Sequence, residues 1–346
     1  MKKLTVLFVF IICFALILSS CDNTVKQPEP DDNNITDIES DETDNSVSVI
    51  NVGALKGPTA MGLVKLMDDE TENASGNVAY DFVIEAAPDA ISPKLIKGEL
   101  DIAAIPANLA SVLYNNTDGQ IVVVNINTLG VLYIVENGNS VNSVEDLRGK
   151  TIYTSGKGST PEYALNYMLE SNGLVIGTDV NIEFKAEHAE CVAAIVSDES
   201  GNSVAMLPQP FVTTAQMSNE NIRIALDLSE EWKNASGKTL ITGVMVARKQ
   251  FAEEHSEELD AFLKKYNDSV AYVNQNTEDA AALIEKFDIF KAAVAKKALP
   301  FCNIVFIDGA DMKEALGEYL NELYSQNPAS VGGKLPADDF YYNAEQ

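Results

Sequence analysis

From residue 48 onward the chain alternates short apolar runs with stretches of helical periodicity. Residues 48–54 read as a buried strand, 60–69 as the helix after it, 81–86 as a second strand and 91–97 as a second helix. Residues 101–105 and 121–125 read as two more strands. The pattern then starts over: strand 150–154, helix 160–171, strand 180–185, helix 188–197 and strand 203–207. Apolar strands separated by helices of about ten residues predict βαβ units and parallel sheets. Strands at 222–226 and 240–247 follow, then long helices at 257–274 and 278–287 and a terminal helix at 310–326.

Two short motifs recur in both halves. Lys56-Gly57-Pro58-Thr59 follows the first strand, and Lys157-Gly158-Ser159-Thr160 follows the strand at 150–154. Ala103 to Pro106 ends one strand and Ala205 to Pro208 ends another, so the two motif pairs are offset by 101 and 102 residues. Two coincidences in register point to two related α/β lobes; the plainer alternative is a pair of generic strand-to-helix turns. The order of elements takes the chain from lobe one to lobe two and back, with crossings near 132–135 and 240–244. The expected division is 48–134 with 243–346 for lobe one and 135–242 for lobe two.

The turns are chemically suited to a ligand. In parallel α/β sheets small molecules bind beyond the carboxyl ends of the strands. Glycine there lets backbone approach a ligand with no Cβ in the way. The helix that follows offers unpaired N–H groups and a positive dipole end. Ser159-Thr160-Pro161-Glu162 also fits a helix capping box, a role that can coexist with ligand contact. Neither a phosphate-binding G-x-x-x-x-G-K-[ST] loop nor a G-x-G-x-x-G fingerprint is present.

The first residues carry an address. Lys2 and Lys3 precede an apolar run at 4–18, and Leu18-Ser19-Ser20-Cys21 closes it. This resembles the signal peptide and lipobox of bacterial lipoproteins, in which the cysteine is lipidated; a plain signal peptide or a membrane span are the alternatives. Residues 22–46 then hold nine acidic side chains against Lys26 alone, so 21–47 is expected to be a disordered tether. With 24 Lys and Arg against 52 Asp and Glu, the net charge of −28 argues against nucleic acid. Two histidines, His188 and His255, leave little for a histidine-rich metal site. Cys191 close to His188 invites a nucleophile reading, but it falls on the apolar side of a helix start, and both it and Cys302 are expected to be reduced.

Several further segments carry a family resemblance: Gly98 to Ala103, Val144 to Ile152 with Gly156 to Thr160 after it, and Leu207 to Pro210. Val246 to Phe251 with Glu254 to Glu257, and the tail Leu335 to Tyr342, complete the set. In order and spacing they resemble substrate-binding proteins of ABC importers, in the nitrate, sulfonate, taurine and thiamine-pyrimidine-precursor group. The resemblance implies an α/β, two-lobed type II periplasmic-binding fold with lobes joined by two crossover strands. It implies a small-molecule solute, a membrane permease as partner, a lipid-anchored monomer on the extracytoplasmic face, and no cofactor, metal or catalysis. Carried over by position, the ligand contacts are Leu55, Lys56, Gly57, Thr59, Ala60, Ala107, Asn108, Thr128, Ser155, Gly158, Ser159, Thr160 and Gln209. Asp101, Asp146 and Gly149 are expected to terminate strands and turns. The two lysines suggest an anionic, sulfonate-like solute; a pyrimidine would instead want rings, with Tyr80, Tyr114 or Tyr163 as candidates. Enzymes of this fold and a protein-binding lipoprotein are the alternatives from other classes.

Overall fold

The computed structural model describes residues 48–72, 78–198 and 203–343. The expected signal segment, Cys21 and the expected tether at 21–47 lie outside these residues. Among the described residues eleven strands form two sheets: β1 (Ser48–Leu55), β2 (Val78–Glu85), β3 (Ile102–Pro106), β4 (Ile121–Leu129), β5 (Leu132–Asn137), β6 (Thr151–Thr154), β7 (Asn181–Phe184), β8 (Ser203–Pro208), β9 (Ile222–Asp227), β10 (Ile241–Arg248) and β11 (Ile304–Ile307).

The first sheet has the order β11-β4-β10-β3-β1-β2 and the second β7-β6-β8-β5-β9. Setting β11 aside, the two orders are the same arrangement. In the first, β1 is flanked in parallel by β2 and β3, with β10 inserted antiparallel between β3 and β4. In the second, β6 is flanked in parallel by β7 and β8, with β5 inserted antiparallel between β8 and β9. The repeated motifs occupy equivalent places: the two K-G-x-T turns follow β1 and β6, and the two Pro-terminated runs are β3 and β8. The internal repeat is therefore a repeat of topology. Strands β3 and β4 are almost wholly buried, as central strands of a sheet covered on both faces must be.

Strand β5 begins at Leu132, which pairs with Pro208, so residues 132–134 belong to the second sheet and the chain changes sheet at Gly130 and Val131. It returns just before Ile241, which pairs with Leu129. The two crossings lie side by side. A Cβ on Gly130 would stand 2.1 Å from Ser229 Oγ and 3.3 Å from Leu240 Cβ, so a side chain here would crowd both neighbours. Side chains reinforce the crossing: Asn303 Nδ2 donates to the Gly130 carbonyl at 2.6 Å and Thr242 Oγ1 to that of Leu129 at 2.5 Å.

One face of the first sheet is covered by the helices Val64–Glu72, Ser256–Gln275 and Thr277–Lys286, through residues such as Leu66, Phe262 and Ile284. A second apolar cluster runs from Ala103 and Ile126 of lobe one into Ile152 and Leu165 of lobe two. Trp232 is its joint, 4.6 Å from the Tyr167 ring and 5.4 Å from that of Tyr319. Asp101 takes the structural part expected of it, accepting from the Asn51 amide and the Arg248 guanidinium, and Asp146 caps the turn at 142–146 through the Asn142 and Ser143 amides. Cys191 and Cys302 are both free and buried, one in each lobe.

Candidate functional site

A cavity of about 370 Å³ opens between the lobes. Lobe two contributes Ser155 to Ser159 and Lys185 to His188, and lobe one contributes Ala86 to Asp89, Ser92 and Leu109. These are the turns after β6, β7 and β2. Three helices begin on its walls: Pro88–Ile96, Thr160–Ser171 and His188–Ser197. A hollow of about 420 Å³ near Asp260, Phe306 and Tyr342 has walls from lobe one only.

The expected capping box at Ser159 does not form. Gly156 and Gly158 have φ of +79° and +77°, which curls the loop back on itself. The Ser159 hydroxyl then donates to the Gly156 carbonyl at 2.7 Å, while Glu162 accepts from the Gly158 amide at 2.5 Å. Gly158 has no atom within 4 Å of where a Cβ would stand, so that side of the residue is open.

Two lysines flank the cavity. Lys185 is held by Glu183 at 2.6 Å, a bond that raises its pKa, and its ammonium lies 5.0 Å from the Tyr153 ring. Lys157 has no carboxylate within ion-pairing distance among the described residues; its ammonium lies 5.5 Å from the Phe184 ring. Asp89 and Glu187 bring two carboxylates to the same walls. The Ser155 hydroxyl is 2.6 Å from His188 Nδ1, and burial pushes the imidazole down to about 4, so it is neutral at pH 7. The imidazole packs against Phe211 at 5.1 Å, and Phe211 meets Phe290 of lobe one edge-on at 5.0 Å. Cys191 takes no part: its thiol points at the Glu187 carbonyl and burial pushes it up to about 12.

Of the residues expected from sequence, Ser155, Gly158 and Ser159 line this cavity. The turn after β1 does not. Lys56 is exposed, Ala60 is buried in the core, Gly57 sits at φ +147° and Thr59 Oγ1 donates to the Leu55 carbonyl at 2.8 Å. Thr128 is buried and donates to Asn127 Oδ1 at 2.9 Å. Ala107 is buried, and Asn108 and Thr160 bond to each other across the lobes at 3.1 Å. Gln209 accepts from Thr213 Oγ1 at 2.9 Å and lines a different groove, with Met217 and Phe301.

The sequence pattern does not single out residues 86–89 and 185–187, and it offers His188 only as a partner for Cys191. The signal was present. Ala86 and Ala186 are 100 residues apart, close to the offset of the other repeats, and each follows the strand paired beside the motif strand. The three rings named for a pyrimidine do not line the cavity: Tyr80 packs on Phe262, Tyr114 donates to Asp339 at 2.5 Å, and Tyr163 lies on the rim of the core. Among the described residues no three His, Cys, Asp or Glu side chains are placed to hold a metal ion, and no helix is long and apolar enough to cross a membrane.

Residues 64–298 match a family model described as the periplasmic substrate-binding protein of a phosphonate ABC transporter. Among solved structures the chain is similar to an ABC transporter protein of Parabacteroides distasonis, at 24% identity over 85% of this chain and 98% of that one, with a TM-score of 0.70. It is similar to the periplasmic aliphatic sulphonate binding protein SsuA of Escherichia coli, at 17% identity over 84% of this chain and 92% of that one, with a TM-score of 0.66. The Candida albicans CA3427 gene product, described as having the generic periplasmic binding protein fold, matches at 15% identity, 84% and 92% coverage and a TM-score of 0.58. No curated protein matches the sequence. The two-lobed architecture expected from the motifs is thus the fold these structures share.

Proposed function

The chain belongs to the periplasmic substrate-binding proteins of phosphonate ABC transporters, and we propose that it captures a small phosphonate- or sulfonate-like solute between its lobes and delivers it to the permease. The observation that carries this reading is the interlobe cavity itself, with three helix starts and the unpaired Lys157 on its walls. Helix N-termini favour anions through free N–H groups and the dipole. Ser155 and Ser159 add hydroxyls, and the neutral His188 adds one ring nitrogen. A volume of about 370 Å³ is at the small end for ligand pockets, which run from about 300 to 1,000 Å³.

Lys185 is already engaged by Glu183, and Asp89 and Glu187 remain. An anion with an ammonium at its other end therefore suits the walls better than inorganic phosphate or sulfate. The name of the Escherichia coli relative, an aliphatic sulphonate binder, supports the same class. We also propose that the protein is held on the extracytoplasmic face by lipid on Cys21, a reading supported by Leu18-Ser19-Ser20-Cys21.

A thermal-shift screen over 2-aminoethylphosphonate, methylphosphonate, taurine, ethanesulfonate, phosphate, sulfate, nitrate and a thiamine pyrimidine precursor tests the class. Stabilisation by the aminophosphonate or taurine above the others is the expected result. Stabilisation by the pyrimidine alone would replace this reading with the vitamin-precursor one.

A further inference from the structure

Beside the cavity, the lobes are joined by a buried polar chain. Asn108 is fully buried at the start of the helix Ala107–Asn116. Its Nδ2 donates to the Ser330 carbonyl of the C-terminal turn at 3.0 Å and to the Gly158 carbonyl of lobe two at 3.4 Å. Its Oδ1 accepts from the Thr160 hydroxyl at 3.1 Å. Thr160, also fully buried, accepts in turn from the Tyr319 hydroxyl at 3.3 Å. Two carbonyls on one side and a hydroxyl on the other fix which way the amide faces.

Asn108 is itself held from behind. Ser111 and Asn115, on the same helix, donate to the Val331 carbonyl at 2.9 and 2.7 Å, and Asn115 also donates to the Lys334 carbonyl at 2.7 Å. The C-terminal turn at 328–334 is thereby fastened to the helix that presents Asn108 to the other lobe.

We propose that Asn108, Thr160 and Tyr319 form an interlobe latch that holds the Gly156 to Thr160 loop against lobe one and favours the closed arrangement before solute arrives. All of its bonds are between protein groups, so no solute is needed to bridge it. None of the three lines the cavity; they are positioning residues, acting through Gly158 and Ser159, which do. Opening the lobes must break buried neutral hydrogen bonds and rehydrate their partners. The latch's effect on solute retention rests on the cavity being the solute site; its effect on closure does not.

The test compares Thr160→Val, which keeps the shape and loses the hydroxyl, with Thr160→Ser, which restores it, and with Tyr319→Phe. Solution scattering of each full chain without solute reads closure, and stopped-flow release of 2-aminoethylphosphonate reads retention. Thr160→Val is expected to enlarge the radius of gyration and to speed release roughly two- to tenfold, the range set by one neutral hydrogen bond. Thr160→Ser should behave as wild type, and Tyr319→Phe should move in the same direction by less. Thermal melts confirm that each variant is folded; an unfolded Thr160→Val leaves the decision to the Tyr319→Phe and Thr160→Ser pair. If Thr160→Val and Tyr319→Phe scatter and release as wild type does, the latch is wrong. If Thr160→Val expands but the aminophosphonate never binds, the latch stands and the proposed solute class fails.

Discussion

The Ser155 hydroxyl and His188 Nδ1, carried by the turns after two adjacent strands of lobe two, stand 2.6 Å apart on the wall of the interlobe cavity. Burial holds the imidazole of this pair well below its ordinary range, at about 4. An unfolded histidine takes a proton near pH 6.5, whereas this one refuses it until about 4. The stability that neutral His188 supports is therefore fully present above about pH 6.5 and is lost as pH falls toward 4.

His188→Gln should flatten that part of the pH profile. Between pH 7 and 4.5 wild type should lose on the order of 2 kcal/mol more than the variant, measured by urea unfolding at each pH. Glu136 and Asp339, whose carboxyls are held below the usual range, act at lower pH and do not confuse the window. Parallel slopes for the two proteins would show that the ring is solvated.

The crossing contact gives a second prediction. Gly130→Ala places a methyl against Ser229, in the helix Leu228–Ser236, and against Leu240 of the other crossing. Overpacking of this kind costs about 1–3 kcal/mol. The double variant Gly130→Ala/Ser229→Gly should recover part of it, because the nearest atom, Ser229 Oγ, is gone. Urea midpoints for the single and double variants check this, and a Gly130→Ala midpoint equal to wild type would mean that the crossings do not touch.

The proposed anchoring falls on Cys21, outside the described part of the chain. Cys21→Ala should leave the protein unprocessed or released from membranes. Metabolic labelling with a palmitate analogue should mark wild type and not the variant; equal labelling of both would end the lipoprotein reading.

Much of the fold was legible because the apolar runs are period-specific and the repeats keep register. The K-G-x-T and Pro-terminated motifs fall on equivalent strands of two sheets with one topology. The antiparallel strands β5 and β10 look like any other apolar run, so sequence placed them but could not show that they insert between parallel neighbours. The short helix Ala107–Asn116 and strand β11 carry too weak a pattern to stand out.

The sequence reading puts ligand contacts on two motif turns, of which the one after β6 lines the interlobe cavity and the one after β1 does not. It paired Lys56 with Lys157 by motif, yet the turn that faces 155–159 is Ala86 to Asp89, after the neighbouring strand. Motif likeness places two turns at equivalent points of one topology, whereas facing across a cleft depends on how the lobes are docked. Likewise the resemblance makes Asn108 and Thr160 ligand contacts, whereas docking of the lobes turns each toward the other.

The two lysines therefore give the sharpest test of where solute binds. Calorimetric titration with 2-aminoethylphosphonate and with taurine should compare wild type, Lys157→Gln and Lys56→Gln. Losing a charged hydrogen bond from Lys157 should weaken the better ligand roughly 10- to 100-fold. Lys56→Gln, exposed and away from the cavity walls, should stay within about twofold of wild type, less than the loss of one neutral hydrogen bond. The reverse pattern, with Lys56→Gln crippled and Lys157→Gln unaffected, would contradict the account and move the site to the turn after β1.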